Sequence, residues 1–195
     1  MLEYEQECAK RGYSLIAGVD EAGRGPLAGP VVSAAIILKQ RDFECRIDDS
    51  KLLSPLQRER AAAEIRQKAY VSVGIVSEKI IDAVNILEAT LLSMQKAILF
   101  LSPKPDFVLV DGNMTLQVNI PFESIVDGDA KILSVACASI IAKVTRDRIM
   151  AIYHKRWPEY GFLKHKGYGT KGHLDALRKF GPSPIQRHSF HYEQV

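Results

Sequence analysis

Cysteine is scarce in this chain. Only Cys8, Cys45 and Cys137 occur among 195 residues, and no two form a Cys-x-x-Cys pair. An odd, widely spaced set excludes a disulfide framework and a zinc ribbon, and it fits a reducing cytoplasm. Long apolar runs are missing too. No stretch approaches the ~18 residues needed to span a bilayer, so no membrane role is expected. The opening Met1-Leu-Glu-Tyr-Glu-Gln-Glu is acidic and leads into no apolar core of the kind a signal peptide carries. Internal repeats and low-complexity segments are absent. The five histidines, His154, His165, His173, His188 and His191, show no tight metal-ligand spacing, so none is assigned to a metal.

What is present is balanced. Hydrophobic residues make up 47% and charged residues 25%, the proportions of an ordinary globular protein. The length suits one domain spanning 1–195, with about 150–195 a helical, basic C-terminal extension of it. The net charge of +3 conceals an asymmetry. Residues 1–130 carry 14 basic and 19 acidic side chains, a net −5, whereas residues 131–195 carry 12 and 4, a net +8. All five histidines lie in the second part. Such a split suits a polyanionic partner, although a solvated basic surface would give the same count.

Apolar patterning predicts five strands. They are Leu15 to Val19, Pro30 to Leu38, Tyr70 to Val76, Phe107 to Val110 and Ile120 to Val126. Helical patterns fall at Ser54 to Ala69, Ile80 to Leu101, Lys131 to Tyr153 and Lys171 to Phe180. Ser54 is the expected N-cap of the first, with Pro55 at its first position. Gly181-Pro182 stops the last. A hairpin-like group of strands followed by strand–helix alternation predicts an α/β fold with a mixed sheet and helices on its faces.

Three predicted strands run into acid: the first into Asp20-Glu21, the fourth into Asp111-Gly112, the fifth into Asp127-Gly128-Asp129. Ligands of α/β sheets gather at strand ends. Carboxylates converging there need a counter-charge, and Mg²⁺ takes a few carboxylates plus water and phosphate oxygens. Two-metal phosphodiester cleavage has this requirement. Taken singly, Asp111-Gly112-Asn113 is also a turn signal, and Asp127 or Asp129 could cap the following helix. Asp20-Glu21 has no such plain alternative. Gly23-Arg24-Gly25-Pro26-Leu27-Ala28-Gly29 follows directly. It is not a dinucleotide fingerprint, because the third glycine comes one place late, Pro26 intervenes and another strand follows. A tight hairpin loop, or glycines bringing backbone amides close to a ligand, remain. An arginine between glycines suits a phosphate.

Together these pieces resemble the ribonuclease HII family, the type 2 ribonucleases H. The resemblance rests on GVDEAGRGPLAGPVV (Gly18–Val32), DDSKLLS (Asp48–Ser54), NILEAT (Asn85–Thr90), VLVDGN (Val108–Asn113), GDAK (Gly128–Lys131), ASIIAKVTRD (Ala138–Asp147), YGFLKHKGYGT (Tyr160–Thr170) and RHSF (Arg187–Phe190). These run in family order over almost the whole chain. Leu52 stands where the family more often has a second lysine, and Gly169 where proline is also common.

The resemblance implies a ribonuclease H-like fold: a mixed five-stranded sheet flanked by helices, with a helical C-terminal part. It implies endonucleolytic cleavage of the RNA strand of RNA/DNA hybrids and of single ribonucleotides in duplex DNA, leaving 5′-phosphate and 3′-hydroxyl ends. The implied metal ligands and catalytic residues are Asp20, Glu21, Asp111 and Asp129, holding two divalent cations, Mg²⁺ or Mn²⁺. Gly23, Arg24, Gly25 and Tyr168 match the family's substrate-reading positions. Lys51 matches its phosphate-contacting lysine, while Lys143 and Arg146 are added as phosphate contacts from their place on the long helix. The 2′-hydroxyl is the feature that tells RNA from DNA. Three other readings stand behind this one, among them a metal-dependent DNA nuclease or resolvase on a similar fold, which cleavage of an all-DNA duplex would reveal. Ribonuclease HIII shares the core but adds an N-terminal domain, for which a first strand near Ser14 leaves no room. A catalytically silent nucleic-acid-binding module would gain nothing from acids facing phosphates. A cytoplasmic monomer is expected, with no protein partner. The tail after Phe190 shows no sliding-clamp motif.

Overall fold

The computed structural model describes residues 1–190. The tail after Phe190 and His191 lie outside the described residues. The helices are α1 (Glu3–Lys10), α2 (Pro55–Lys68), α3 (Glu78–Val84), α4 (Ile86–Phe100), α5 (Gly128–Lys131), α6 (Leu133–Arg156), α7 (Phe162–His165) and α8 (Lys171–Phe180). The strands are β1 (Ile16–Ala22), β2 (Val31–Leu38), β3 (Ala69–Val76), β4 (Phe107–Asp111) and β5 (Phe122–Ile125). They form one sheet in the order β3-β2-β1-β4-β5. β1 pairs antiparallel with β2 and parallel with β4; β2–β3 is antiparallel and β4–β5 parallel. This is the mixed five-stranded sheet that the patterning predicts.

Alternation along β2 sorts its side chains to the two faces of the sheet. Ala34 and Ile36 pack under α2 and α6, against Ile65, Ile140 and Ile141. Ala35 and Ile37 pack the other way, against Met94 and Ala97 of α4. The C-terminal part closes over the end of α6. There Met150, Tyr160, Phe162, Leu177 and Ile185 form a cluster with Ala28. No helix of the described residues is long and apolar enough to cross a membrane.

Local signals explain most boundaries. Ser54 accepts a hydrogen bond from the Gln57 amide, Gln57 bonds back to the Ser54 amide, and Pro55 opens the helix, which completes a capping box. α8 has the predicted bounds. Three expectations need correction. The pattern from Ile80 to Leu101 is not one helix. Asn85 breaks it at φ 72°, and its side-chain oxygen accepts the Glu88 amide to cap α4. A continuous apolar spacing hides the break, because α3 and α4 both present apolar faces to the protein. The long helix starts later than predicted, at Leu133, after the separate turn α5. β1 extends through Asp20 and Glu21, so the acid pair sits inside the strand rather than beyond it. α1 went unpredicted. Its anchor is Glu5, whose buried carboxylate accepts the Ser134 amide and hydroxyl at 3.0 and 2.9 Å.

α6 lies tight against β1 at Gly18. A Cβ there would lie 2.3 Å from the Ser134 carbonyl carbon and 2.4 Å from the Val135 nitrogen, both backbone atoms. Neither can give way without moving the helix. Gly18→Ala is therefore expected to cost about 3 kcal/mol or more, at the upper end of overpacking effects. Urea unfolding of the variant against the parent measures this, and a loss below about 1 kcal/mol would mean that helix and strand are not in such close contact.

Candidate active site

The register of the parallel pair builds the centre. Val19 faces Val110, so Asp20 and Asp111 come next to each other one step further along β1 and β4. Asp20 is buried and Asp111 half-buried at this rim. α5 brings the third acid. The Gly128 amide donates to Asp111 Oδ1 at 2.7 Å, which ties the start of α5 to the end of β4. Asp129 follows in the same turn and is buried. Asp127 adopts a left-handed conformation (φ 56°) and makes no side-chain cap, so it does not act as the helix cap considered for it.

These carboxylates destabilise one another's charge. Burial pushes Asp20 well above its ordinary pKa, and Glu21 and Asp111 push in the same direction; Ser139 and the Glu21 amide, 2.6 Å from Asp20 Oδ1, pull back. Glu21 is raised mainly by burial and by Asp111, against the pull of Arg24, whose Nη1 lies 3.5 Å from Glu21 Oε1. Asp129 is raised by burial, Asp111 and Asp49, and lowered by Lys51. The Lys51 ammonium lies 3.6 Å from Asp129 and 3.7 Å from Asp49, while its own chain stays exposed.

These observations fit a divalent cation. The donors are all oxygens, a hard set. Glu21 Oε2 is buried and has no hydrogen-bond partner. A lysine already leans on Asp129. Among the described residues, however, no three His, Cys, Asp or Glu side chains converge tightly enough to form a ready-made metal cluster. An incoming ion would have to draw the acids together.

The same rim opens into a cleft of about 220 Å³. Asp20, Glu21 and Asp111 line it, with Gly23, Arg24, Gly25, Lys51, Lys143 and Tyr168. Tyr168 is 45% exposed. Its ring lies 3.7 Å from where a Cβ of Gly25 would be. The cleft thus collects Asp20, Glu21, Asp111, the glycine loop, Lys51, Lys143 and Tyr168, while Asp129 joins through Lys51 and Asp111. Lys143 is paired with Asp147 at 2.8 Å but keeps its place in the wall.

Arg146 also lines this cleft, but it is 1% exposed, and its guanidinium donates to the carbonyls of Pro30, Lys166 and Ala28 at 2.9, 3.0 and 3.1 Å. Those bonds engage three of the donors that a phosphate contact would draw on. Sequence reading also missed the Ser50–Ser139 pair, bonded at 2.9 Å between hydroxyls beside Asp20. Its signal was a serine interrupting an otherwise apolar stretch of helix. Arg187, for which the sequence suggests no role, is fully buried against the glycine loop.

A mixed sheet with carboxylates at adjacent ends of its central parallel strands, roofed by one long helix, defines a nuclease of the ribonuclease H-like class. A family model described as Ribonuclease HII matches residues 17–193. The chain belongs to the ribonuclease HII family. It is 54% identical to Ribonuclease HII of Acetivibrio thermocellus, over 97% of this chain and 75% of that one. Among solved structures, the PCNA:RNase HII complex from Archaeoglobus fulgidus matches with TM-score 0.80 at 27% identity, covering 93% of this chain and 98% of that one. Bst-RNase HIII, solved in complex with Mn²⁺, matches at 0.70 and 18% identity, over 90% and 67%, a likeness of fold alone. The chain is accordingly a metal-dependent ribonuclease H, an endonuclease acting on RNA/DNA hybrids.

The raised pKa of Asp20 has a consequence for stability. A carboxyl that resists ionisation in the fold but ionises freely when unfolded opposes folding at any pH above its ordinary value near 4. Asp20→Asn removes that charge and keeps the oxygen that accepts the Glu21 amide. In metal-free buffer at pH 7 the variant is expected to gain about 1 kcal/mol or more, a rise of about 2–4 °C per kcal/mol in melting temperature. The gain should shrink as pH falls toward the ordinary carboxylate range. A variant that melts below the parent at pH 7 would show that the buried Asp20 charge does not oppose folding.

Proposed function

We propose that this chain cleaves both continuous RNA/DNA hybrids and single ribonucleotides embedded in duplex DNA. The products would carry 5′-phosphate and 3′-hydroxyl ends, and the task would be ribonucleotide removal during DNA replication and repair. The observation that carries this reading is that one cleft holds the acidic rim, the glycine loop and Tyr168. A scissile phosphate and the ribose beside it fit side by side there. We further propose a single catalytic unit, with about 150–195 as its basic extension, working in the cytoplasm as a monomer. The clamp complex belongs to the Archaeoglobus protein; no sliding-clamp partner is part of this proposal.

Asp20, Glu21, Asp111 and Asp129 would hold two divalent cations, Mg²⁺ or Mn²⁺, which supply an activated water and charge stabilisation at the leaving 3′-oxygen. The protein's own groups do the rest. Gly23 and Gly25 carry no side chain, so backbone can approach the ribose. Tyr168 would lie against the next sugar, its hydroxyl donating to the 2′-oxygen. Arg24 and Lys51, now leaning on Glu21 and Asp129, would turn their charge to the phosphates as substrate enters. Lys143 forms part of the wall between this cleft and a second one of about 540 Å³, which Arg58, Arg148, Lys164 and Lys166 line. That basic groove would carry the duplex beyond the scissile bond.

Two experiments test this reading. Asp111→Asn should lower kcat by at least a hundredfold while leaving the Kd for an uncleaved hybrid within about threefold, measured by fluorescence anisotropy. Turnover near that of the parent would remove Asp111 from the chemistry. Tyr168→Phe should slow cleavage of a duplex with one ribonucleotide by at least tenfold more than cleavage of a continuous hybrid. Equal losses on the two substrates would refute its role at the RNA–DNA junction.

A further inference from the structure

Two arginines with no acidic partner lie behind the glycine loop. Arg146 and Arg187 are 1% and 0% exposed, and neither forms an ion pair among the described residues. Burying a charge in this way is expensive. Each guanidinium instead spreads its donors over three backbone carbonyls. Arg187 holds those of Gly29 and Arg24 at 2.9 Å and of Gly23 at 2.6 Å. Arg146 holds those of Pro30, Ala28 and Lys166. Five of the six carbonyls belong to the 23–30 loop; the sixth belongs to the segment that carries Tyr168.

Apolar side chains could pack these loops together, but they could not orient the peptide planes. A guanidinium can, because its donors are fixed in one plane. A trans peptide points its C=O and the following N–H in opposite directions. With the Gly23 and Arg24 carbonyls drawn inward to Arg187, the amides of Arg24 and Gly25 face away from it, on the cleft side of the loop. Neither amide donates a hydrogen bond among the described residues. The packing allows no slack. Gly23 sits at φ 102°, and a Cβ on it would meet Arg146 Nε at 2.2 Å. The Tyr168 segment is joined to the same loop by the Leu27 amide donating to the Gly167 carbonyl at 2.8 Å.

We propose that Arg146 and Arg187 are positioning residues that set selectivity for a lone ribonucleotide. Their shared grip on the carbonyls aims two free amides into the cleft and fixes the distance from them to Tyr168. The proposal rests on reading the glycine loop as the ribose contact. A continuous hybrid offers a 2′-hydroxyl at every position and tolerates a loosened loop. A single ribonucleotide offers one, and a loosened loop misses it.

The test uses Arg187→Lys and Arg146→Lys, which keep the charge but lose the planar fork. Each is assayed on a duplex with one ribonucleotide and on a continuous hybrid, and the ratio of kcat/KM values is compared with that of the parent. The ratio does not depend on how much of the variant is folded, and if one variant fails to fold the other still tests the shared loop. Backbone amide signals of Arg24 and Gly25 are followed by NMR in the free proteins. Support would be a ratio at least fivefold below the parent's, carried by kcat with KM within threefold, together with shifted or broadened amide signals. Unmoved amides overturn the clamp itself. Moved amides with an unchanged ratio overturn the selectivity: if kcat falls equally on both substrates the loop stays a ribose contact, and if neither rate changes the loop reading fails as well.

Discussion

Repulsion among carboxylates is the constraint around which this protein is arranged. Adjacent parallel strands carry Asp20 and Asp111 near their ends, Glu21 follows on the first, and Asp129 arrives from α5. Burial at this rim is the main cause of the raised pKa values of Asp20, Glu21 and Asp129, and the neighbouring carboxylates add to it. The neighbouring groups offset part of it. Amides of Glu21 and Gly128 donate to Asp20 and Asp111, and cationic Arg24 and Lys51 lean on Glu21 and Asp129. None of these replaces a doubly charged cation. They leave the acids spaced apart, and on the proposed reading an ion and a phosphate would supply the rest of the counter-charge.

The acids can be held this way only if the strands cannot retreat, and α6 prevents that. Its backbone rests on Gly18 with no room for a Cβ, two residues before Asp20. The same helix carries a polar series through its buried length. Ser134 ties down α1 through Glu5, and Ser139 meets Ser50 beside Asp20. Lys143 stands in the cleft wall, and Arg146 grips the loops. Ser139, Lys143 and Arg146 follow at spacings of four and three, one helical face. One rigid element therefore sets the heights of the acids, the cleft wall and the glycine loop together.

Much of this was legible in the sequence because burial imposes patterns. Short runs rich in β-branched residues favour strands, and Ser54-Pro55 favours the opening of a helix. An acid pair at the buried end of an apolar strand has no cheap structural excuse, so Asp20-Glu21 stands out from sequence alone, although its place within β1 does not. What stayed hidden depends on contacts between distant segments. Asn85 breaks a helix whose apolar spacing runs on through the break. α1 is a short acidic segment, and its reason for ordering is a serine some 130 residues away. Arg146 and Arg187 show the limit most clearly. A basic residue on a helix or in a loop reads as a solvated charge or a phosphate contact, because sequence does not say which side another loop will cover.

That last point changes the meaning of the charge split. The net +8 of residues 131–195 suggests a basic surface beside an acidic centre. Two of its twelve basic side chains point inward instead and hold backbone carbonyls. The attraction for a polyanion is left to the others, among them Lys143, Arg148, Lys164 and Lys166 along the second cleft. The positive charge is thus placed in two distinct ways. Outside, on the proposed reading, it would gather a duplex without regard to sequence and weaken with salt. Inside, shielded from salt by the protein itself, it holds the carbonyls of the glycine loop, whose amides are proposed to meet the sugar. On that reading affinity and selectivity would be changed separately, since the residues that supply one would not supply the other.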